Sequence, residues 1–354
     1  MSVTSAGLKA SASLPRWFSP AVLVGSFTGA LAVFTLSGLA DPEGNTNLLG
    51  VALMGFALYM LVTFISSRSV EGRRKATDRM VTGLVTAAFT LAVIPLVSLS
   101  YTVLVNGLAR LDGTFFTNSM RNVVGEGGGA LHAIVGTLEL TGIATLISVP
   151  VGIMTAIYLV EYGRGRLARL VTFFVDVMTG IPSIVAGLFA FTLFLVILGP
   201  ANAINGFAGA VSLSVLMIPV VVRATEEMLK IVPNELREAS YALGVPKWLT
   251  IVKVVIPTAL AGIATGVIIA IARVIGETAP LLLAAGFTAS MNYNPFSEKM
   301  MTLPVFVYTS FANQGVDAQA YIDRSWAGAL TLMLIVMILN IVARIISKVF
   351  SPKG

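Results

Sequence analysis

Apolar residues form eight long runs that are separated by shorter polar segments. The runs cover residues 20–40, 48–65, 80–108, 134–160, 171–198, 208–225, 259–289 and 327–347. A helix that crosses a bilayer needs roughly 20 apolar residues, and every run reaches or approaches that length. The pattern therefore predicts an all-α integral membrane protein with eight transmembrane helices and two long loops, at residues 109–133 and 290–326.

Basic residues divide unequally between the segments that connect the runs. If the N-terminus lies inside the cell, 18 of the 23 Lys and Arg residues fall on inner segments and four on outer segments, while Arg273 lies within a run. Cytoplasmic loops of membrane proteins carry an excess of Lys and Arg. The distribution predicts that both termini are cytoplasmic and places residues 226–258 in the cytoplasm.

Composition excludes several classes of function. Hydrophobic residues make up 56% of the chain and charged residues 11%, and there is no Cys and a single His, His132. The chain is therefore not expected to carry a catalytic thiol or a metal site. It has no G-x-x-x-x-G-K-[ST] motif for ATP phosphates, so ATP hydrolysis is not expected here. The net charge of +6 comes mainly from residues that flank the runs, and no nucleic-acid binding is expected.

The polar segment between the sixth and seventh runs has helical character. Residues 233–243 predict a short helix, Gly244 suits a left-handed C-terminal cap, and Pro246 suits the first turn of a second helix. The resulting elbow would offer apolar contacts from Leu236, Ala239, Leu243, Trp248 and Ile251. The alternative is an ordinary amphipathic helix at the membrane surface.

The elbow resembles the coupling loop of ABC importer permeases, which reads Glu-Ala-Ala, three residues and Gly, followed by Pro. Here Glu238, Ala239, Ser240, Gly244 and Pro257 match it, with Ser in place of the second Ala. Residues 129–163, 176–189 and 271–283 further resemble the phosphate-specific branch of these permeases, the PstA and PstC type, and most of all PstA. The resemblance implies a type I permease core of six helices at residues 80–354, preceded by an extension with two extra helices at residues 1–79.

The resemblance also implies partners. These are a homologous permease (PstC-like), a dimeric ATPase that holds ATP and Mg²⁺ (PstB-like), and a phosphate-binding protein (PstS-like), all at the bacterial cytoplasmic membrane. This chain would carry no cofactor and no catalytic residue. The ATPase would contact the elbow at Glu238, Ala239, Ser240, Gly244 and Trp248.

Two charged residues in the seventh run are candidates for the substrate path. Arg273 and Glu277 are four residues apart, which predicts a shared helix face. A charge at the bilayer centre is costly, about 2.5–3.5 kcal/mol for Arg, so both should face protein or water. Arg273 would bind phosphate oxygens and Glu277 would accept a hydrogen bond from a protonated phosphate oxygen, which sulfate lacks. The alternative is an ion pair that only stabilises packing.

Four further residues are weaker candidates for the path. Glu139 lies in the fourth run and is equally explained by a buried pair with an arginine. Asp176 precedes Pro182 and Ser183, where a proline-loosened helix would let the serine donate to an anion. Helix packing is the simpler role for Ser183, and anchoring at the membrane boundary is the simpler role for Arg223.

Three rival functions remain open. The first is an ABC permease for another oxyanion, such as sulfate or molybdate. The second is a secondary anion transporter, which the elbow and the lack of an obvious inverted repeat disfavour. The third is an intramembrane enzyme, which the missing nucleophile and metal-binding motifs disfavour.

Overall fold

The computed structural model describes residues 13–37 and 47–350. These residues form helices and no β-strand. The helices are, in chain order, α1 (Phe18–Leu36), α2 (Leu48–Val70), α3 (Arg73–Leu108), α4 (Gly113–Thr117), α5 (Leu131–Ile157), α6 (Gly165–Gly180), α7 (Ser183–Leu198), α8 (Gly206–Ile231), α9 (Asn234–Ala242), α10 (Lys247–Thr250), α11 (Ile256–Val274), α12 (Ala279–Ala284), α13 (Leu303–Ala312) and α14 (Ala318–Phe350). Two π-helical segments, Tyr158–Tyr162 and Ile251–Val255, extend α5 and join α10 to α11.

The prediction of an all-helical membrane protein is confirmed. In the described part of the chain, seven helical stretches are long and apolar enough to span a bilayer: α1, α2, α3, α5 with its π-helical end, α8, Lys247–Val274 and α14. α6 and α7 form an eighth candidate that is sharply bent. Residues 38–40 of the first predicted run lie outside the described residues. The count of eight spans and the cytoplasmic position of both termini remain predictions.

The apolar run at residues 171–198 does not form one continuous helix, and the loosening expected at Pro182 is a complete break. α6 ends at Gly180, α7 begins at Ser183, and the two helices are bent by 109°. Pro182 has no N–H to donate and disfavours the helical conformation in the residue before it. Ile181 accordingly has φ −68° and ψ 129°, which is extended backbone. The bend leaves backbone polar groups of both helices without helical partners.

The apolar run at residues 259–289 does not form one helix, because it is interrupted near its C-terminal end. α11 ends at Val274, and the short α12 begins at Ala279. A proline inside a helix clashes with the carbonyl four residues before it, which for Pro280 is that of Gly276. Glycine is also a poor helix former. The chain therefore leaves the helical conformation between Arg273 and Pro280.

The long loop predicted at residues 290–326 contains the buried helix α13. Leu303 and Phe306 lie in the core, and the Leu303 N–H donates to the Thr137 hydroxyl at 2.7 Å. α14 then starts at Ala318, well before the predicted residue 327. Burial of α13 against α5 explains why an apolar stretch of ten residues is helical although it is too short to span a bilayer.

Contacts divide the described residues into two compact units, one up to Ser100 and one from Tyr101. The sequence instead places a boundary between residues 79 and 80. α3 runs without interruption through both positions, so the predicted division into an extension and a core remains a prediction.

The core of the second unit is formed mainly by α5, α8 and α11. Leu140, Leu213 and Met217 are buried there. Small residues allow the helices to approach closely: a Cβ at Gly152 would lie 2.6 Å from Cγ1 of Val221. Close packing of this kind replaces the hydrophobic effect as the main attraction between helices in a lipid environment.

The first unit is held together at one end by the carboxylate of Glu71. It accepts hydrogen bonds from Arg79 Nε (2.7 Å) and Nη2 (2.9 Å), the Ser67 hydroxyl (2.8 Å) and the Leu14 N–H (2.8 Å). The hydrogen bond from Arg79 is the main reason why the pKa of Glu71 falls from 4.5 to about 2. These bonds join the segment before α1, the end of α2 and the start of α3.

We expect Glu71→Gln to lower the free energy of unfolding at neutral pH by about 1–3 kcal/mol, because a charged acceptor of several hydrogen bonds is lost. The folded-state pKa lies below the ordinary value of 4.5. The stabilisation is therefore present above about pH 4.5 and is lost as the pH falls toward about 2. Thermal unfolding of the purified chain at a series of pH values measures this, with exposed Asp78→Asn as the control. Equal unfolding temperatures for wild type and Glu71→Gln at neutral pH would contradict the prediction.

Candidate functional site

A cavity of about 230 Å³ lies among α6, α7, α8 and the end of α11. Its walls are formed by Met178, Thr179, Ile181, Ser183, Leu216, Val220, Arg273, Val274 and Glu277. Three of the predicted path residues, Arg273, Glu277 and Ser183, thus line one cavity, although Ser183 is about 90 residues from the other two. The volume is well above the roughly 10–15 Å³ that one water needs by a comparable measure.

The cavity is framed by the two helix breaks. Ile181 and Ser183 belong to the bend between α6 and α7, and Glu277 belongs to the non-helical segment before α12. α7 begins at Ser183, so the N–H end of a helix of 16 residues lies at the cavity wall. A helix N-terminus carries partial positive charge and free N–H donors. Together with Arg273, the wall is therefore suited to an anion.

The predicted shared helix face of Arg273 and Glu277 is not observed, because α11 ends between them. Arg273 is exposed on this chain and Glu277 is partly exposed. Within the described residues, no carboxylate lies within ion-pair distance of Arg273, and neither side chain makes a hydrogen bond. The geometry thus gives no support to a mutually neutralising pair. It leaves both groups available to a ligand.

Asp176 and Arg223 form an ion pair with each other and do not line the cavity. Arg223, on α8, donates to Asp176 on α6, and its other terminal nitrogen donates to Glu226 at 2.7 Å. Val220, one helical turn before Arg223, does line the cavity. The pair therefore connects α6 to α8 beside the cavity, and a direct role of either residue in the path remains a prediction.

Glu139 lies on α5 and is not among the residues that line the cavity. It is partly buried, and its Oε2 is buried with no hydrogen-bond partner among the described residues. No arginine of the described chain pairs with it, in contrast to the balancing arginine considered from the sequence. Its role in the path remains a prediction.

The predicted elbow is confirmed as a helix–turn–helix. α9 covers Asn234–Ala242, Gly244 has φ +74°, and α10 begins at Lys247 directly after Pro246. The left-handed conformation at Gly244 is strained for any residue with a Cβ, which explains why glycine stands there. The turn lets the two short helices fold against each other.

The outer surface of the elbow is largely apolar. Leu243 is 83% exposed and Trp248 is 61% exposed, and Leu236, Glu238 and Ala239 are also exposed. This surface fits the predicted contact with a separate subunit.

Ser240 and Ile251 depart from the predicted contact set. Both are buried in this chain, at 8% and 3% exposure. The Ser240 hydroxyl is hydrogen-bonded to that of Thr250 at 2.8 Å, which joins α9 to α10. Ser240 therefore stabilises the elbow from inside, and in this structure its side chain is not presented to a partner.

Several cavity residues were not predicted. Leu216 and Val220 lie four residues apart on one face of α8, and Met178 and Thr179 form the last turn of α6. Their spacing was visible in the sequence, but nothing there identifies which face of an apolar helix turns toward the cavity. Only the packing of α6, α8 and α11 decides it.

The described residues form an integral membrane protein with an exposed apolar elbow between α8 and α11. The sequence profile of the family described as "Binding-protein-dependent transport system inner membrane component" matches residues 148–353. The chain is 47% identical to "Phosphate transport system permease protein PstA 1" of Mycobacterium tuberculosis (strain CDC 1551 / Oshkosh), over 79% of this chain and 91% of the relative. It is 37% identical to "Phosphate transport system permease protein PstA" of Haemophilus influenzae, over 77% and 94%.

A solved structure shares the fold at low sequence identity. A chain of the bacterial alginate ABC transporter, solved with an alginate pentasaccharide-bound periplasmic protein, matches with a TM-score of 0.57 and 14% identity over 78% of this chain and 97% of that chain.

On the sequence profile and the sequence relatives, the present chain belongs to the inner-membrane permeases of binding-protein-dependent transport systems, and within them to the PstA family.

We expect Gly187→Ala to disturb the packing around the cavity. A Cβ at Gly187 would lie 2.6 Å from the Cα of Pro280, so α7 and α12 would have to separate. Overpacking of this kind costs about 1–3 kcal/mol, which should lower the unfolding temperature of the purified chain. Gly180→Ala is the matched control, because a Cβ there meets nothing within 4 Å. An unfolding temperature of Gly187→Ala equal to that of the control would show that the contact is not restrictive.

Proposed function

We propose that this chain is a transmembrane subunit of an ATP-driven phosphate importer in the bacterial cytoplasmic membrane. It forms half of the phosphate path and couples that path to a separate ATPase. The observation that carries the proposal is the cavity in which Arg273, Glu277 and Ser183 meet, in a chain of the PstA family. The chain itself is not an enzyme.

The chemistry of the cavity suits phosphate. The guanidinium of Arg273 presents two parallel N–H donors that match two phosphate oxygens. The Ser183 hydroxyl and the free N–H groups at the start of α7 supply further donors. Glu277 accepts a hydrogen bond from the protonated oxygen that phosphate retains at neutral pH. Sulfate has no such proton and would be repelled by the carboxylate.

The same arrangement favours release. One cation and one anion face the ligand, so the net attraction is small and the ion is not trapped. A transport path needs sites that bind strongly enough to admit an ion and weakly enough to let it leave. High affinity would reside in the separate binding protein.

The exposure of Arg273 supports pairing with a second permease subunit. An arginine on the lipid-facing side of a span is costly, so the surface around Arg273 is expected to be covered by protein or to line water. We propose that a PstC-like permease covers it, that PstB-like ATPases dock on the elbow, and that a PstS-like protein delivers phosphate from outside. ATP and Mg²⁺ would be bound by the ATPase, and this chain would need no cofactor.

Uptake by the reconstituted complex tests the proposed substrate. Radioactive phosphate should accumulate in proteoliposomes only when ATP and the binding protein are supplied, and excess sulfate should not compete. Accumulation of sulfate or molybdate in place of phosphate would establish the rival oxyanion function. ATP-independent exchange would establish a secondary transporter.

We expect Gly244→Leu to abolish transport while the chain still inserts into the membrane. A side chain at φ +74° costs about 1–2 kcal/mol, and relief of this strain would open the turn between α9 and α10. Gly165→Leu is the matched control, because Gly165 has φ +80° with equally open surroundings but lies outside the elbow. Uptake and co-purification of the ATPase measure the effect. Wild-type values for both in Gly244→Leu would refute the docking role of the elbow.

We expect Arg273→Met and Glu277→Gln, singly and together, to give assembled complexes, since the two side chains do not pair with each other. Arg273→Met should reduce phosphate uptake per assembled complex by at least about tenfold, which corresponds to 1.4 kcal/mol. Arg273→Lys should also be impaired, because lysine lacks the planar pair of donors. Arg121→Met, at an exposed loop residue, is the control. Near-normal uptake in the double variant would show that neither residue serves the path.

A further inference from the structure

A buried ion pair connects the elbow to the end of α5. Arg237, on α9, donates from Nε (3.0 Å) and Nη2 (2.9 Å) to Oε1 of Glu161, which lies in the π-helical end of α5. The side chains of Arg237 and Glu161 are only 12% and 5% exposed. A docked ATPase could not reach this pair, so its contacts serve this chain.

Arg237 also binds the last turn of α8. Its Nη1 donates to the carbonyl of Val232 at 2.6 Å, and its Nη2 donates to the carbonyl of Leu229 at 3.0 Å. These carbonyls are among those that a helix end leaves without a helical partner. One guanidinium thus connects three elements: the elbow helix α9, the end of α5 and the end of α8.

The helix α8 leads from this junction to the cavity. Leu229 and Val220 are nine residues apart on one continuous helix, which corresponds to about 13 Å. Val220 and Leu216 line the cavity, and Pro219 between them removes one backbone hydrogen bond from the helix. A displacement of the C-terminal end of α8 would therefore reach the cavity wall at a point where the helix bends easily.

A second contact fixes the same end of α5. The ammonium of Lys247, at the start of α10, donates to the backbone carbonyl of Glu161 and lies 4.8 Å from the centre of the Tyr162 ring. Both helices of the elbow are thus bonded to the π-helical segment Tyr158–Tyr162.

We propose that Arg237 and Glu161 are positioning residues that transmit movement of the elbow to α5 and α8, and so to the cavity. The inference rests on the proposed function, because it takes the elbow to be the site that the ATPase moves. Removal of either residue would let the elbow move without carrying α5 and α8 with it. The predicted defect is uncoupling: ATP is hydrolysed but phosphate is not moved.

The test uses the complete complex reconstituted with its second permease, ATPase and phosphate-binding protein. Glu161→Gln, Arg237→Gln and the double variant are compared with wild type. The control is Arg166→Gln, which removes an exposed arginine from the neighbouring inner segment. ATPase co-purification, ATP hydrolysis and phosphate uptake are measured on the same preparations.

We expect both single variants to retain the ATPase and hydrolyse ATP, while phosphate moved per ATP falls by about fivefold or more, the lower range of measured coupling between sites. The double variant should be no worse than the singles, because residues that act as a unit are not additive. Arg166→Gln should keep the wild-type ratio. A merely structural pair would lower hydrolysis and uptake together and leave their ratio unchanged, which would overturn the proposal.

Reversible cross-linking provides an independent test, since the chain has no Cys. The double variant Glu161→Cys with Arg237→Cys should hydrolyse ATP without moving phosphate. A short bifunctional reagent that joins the two thiols through a reducible bond should restore the amount of phosphate moved per ATP. Addition of a reductant should abolish this restoration. Failure of the cross-link to raise the ratio would overturn the proposal.

Two outcomes separate this proposal from the proposed function. Loss of the ATPase from Arg237→Gln would mean that the residue serves docking, which overturns the inference and leaves the importer intact. A wild-type complex that binds no ATPase or moves no phosphate would instead refute the proposed function itself.

Discussion

The structure around the cavity depends on two helix breaks, each of which lies next to a proline. Pro182 separates α6 from α7, and Pro280 follows the point where α11 ends. Backbone polar groups freed in this way are tolerated at membrane depth only if they face protein or a water-filled space. Because the two breaks lie against the same cavity, the constraint that interrupts each helix also supplies the polar wall. Small residues let α5 pack closely against α8, and this packing fixes the positions of the two helix breaks relative to each other.

The charged residues fall into two groups by their partners. Glu71 with Arg79, Asp176 with Arg223 and Glu161 with Arg237 are neutralised within the chain, and each pair joins separate elements. Arg273 and Glu277 have no such partners among the described residues, although both lie at a cavity in an apolar region. Each paired charge therefore has a structural role that accounts for its presence. An unpaired charge at a cavity requires an explanation from a ligand or a second subunit, and this is the basis of the anion path proposed above.

The elbow combines an exposed surface with a buried attachment. Leu243 and Trp248 are presented outward, whereas Ser240 bonds within the elbow and Arg237 bonds to α5 and α8. The proposed docking needs accessible apolar surface, and the proposed transmission of movement needs bonds shielded from water. The exposed residues lie at the end of α9 and in α10, whereas the side chains of Arg237 and Ser240, both on α9, bond within the chain.

The sequence by itself determined the class of fold, the approximate spans and the elbow, because hydrophobic runs, Gly244 and the prolines act locally. It also identified Arg273 and Glu277, since charges in an apolar run are conspicuous whatever the fold. It did not determine that the two residues lie on either side of a helix end, nor that α13 is a buried helix, because both depend on contacts with distant residues. The assembly of Ser183, Leu216 and Arg273 around one cavity and the bonding of Arg237 to Glu161 were decided only by the tertiary structure. Those contacts join residues that are tens of positions apart, and no local pattern records which faces of apolar helices meet.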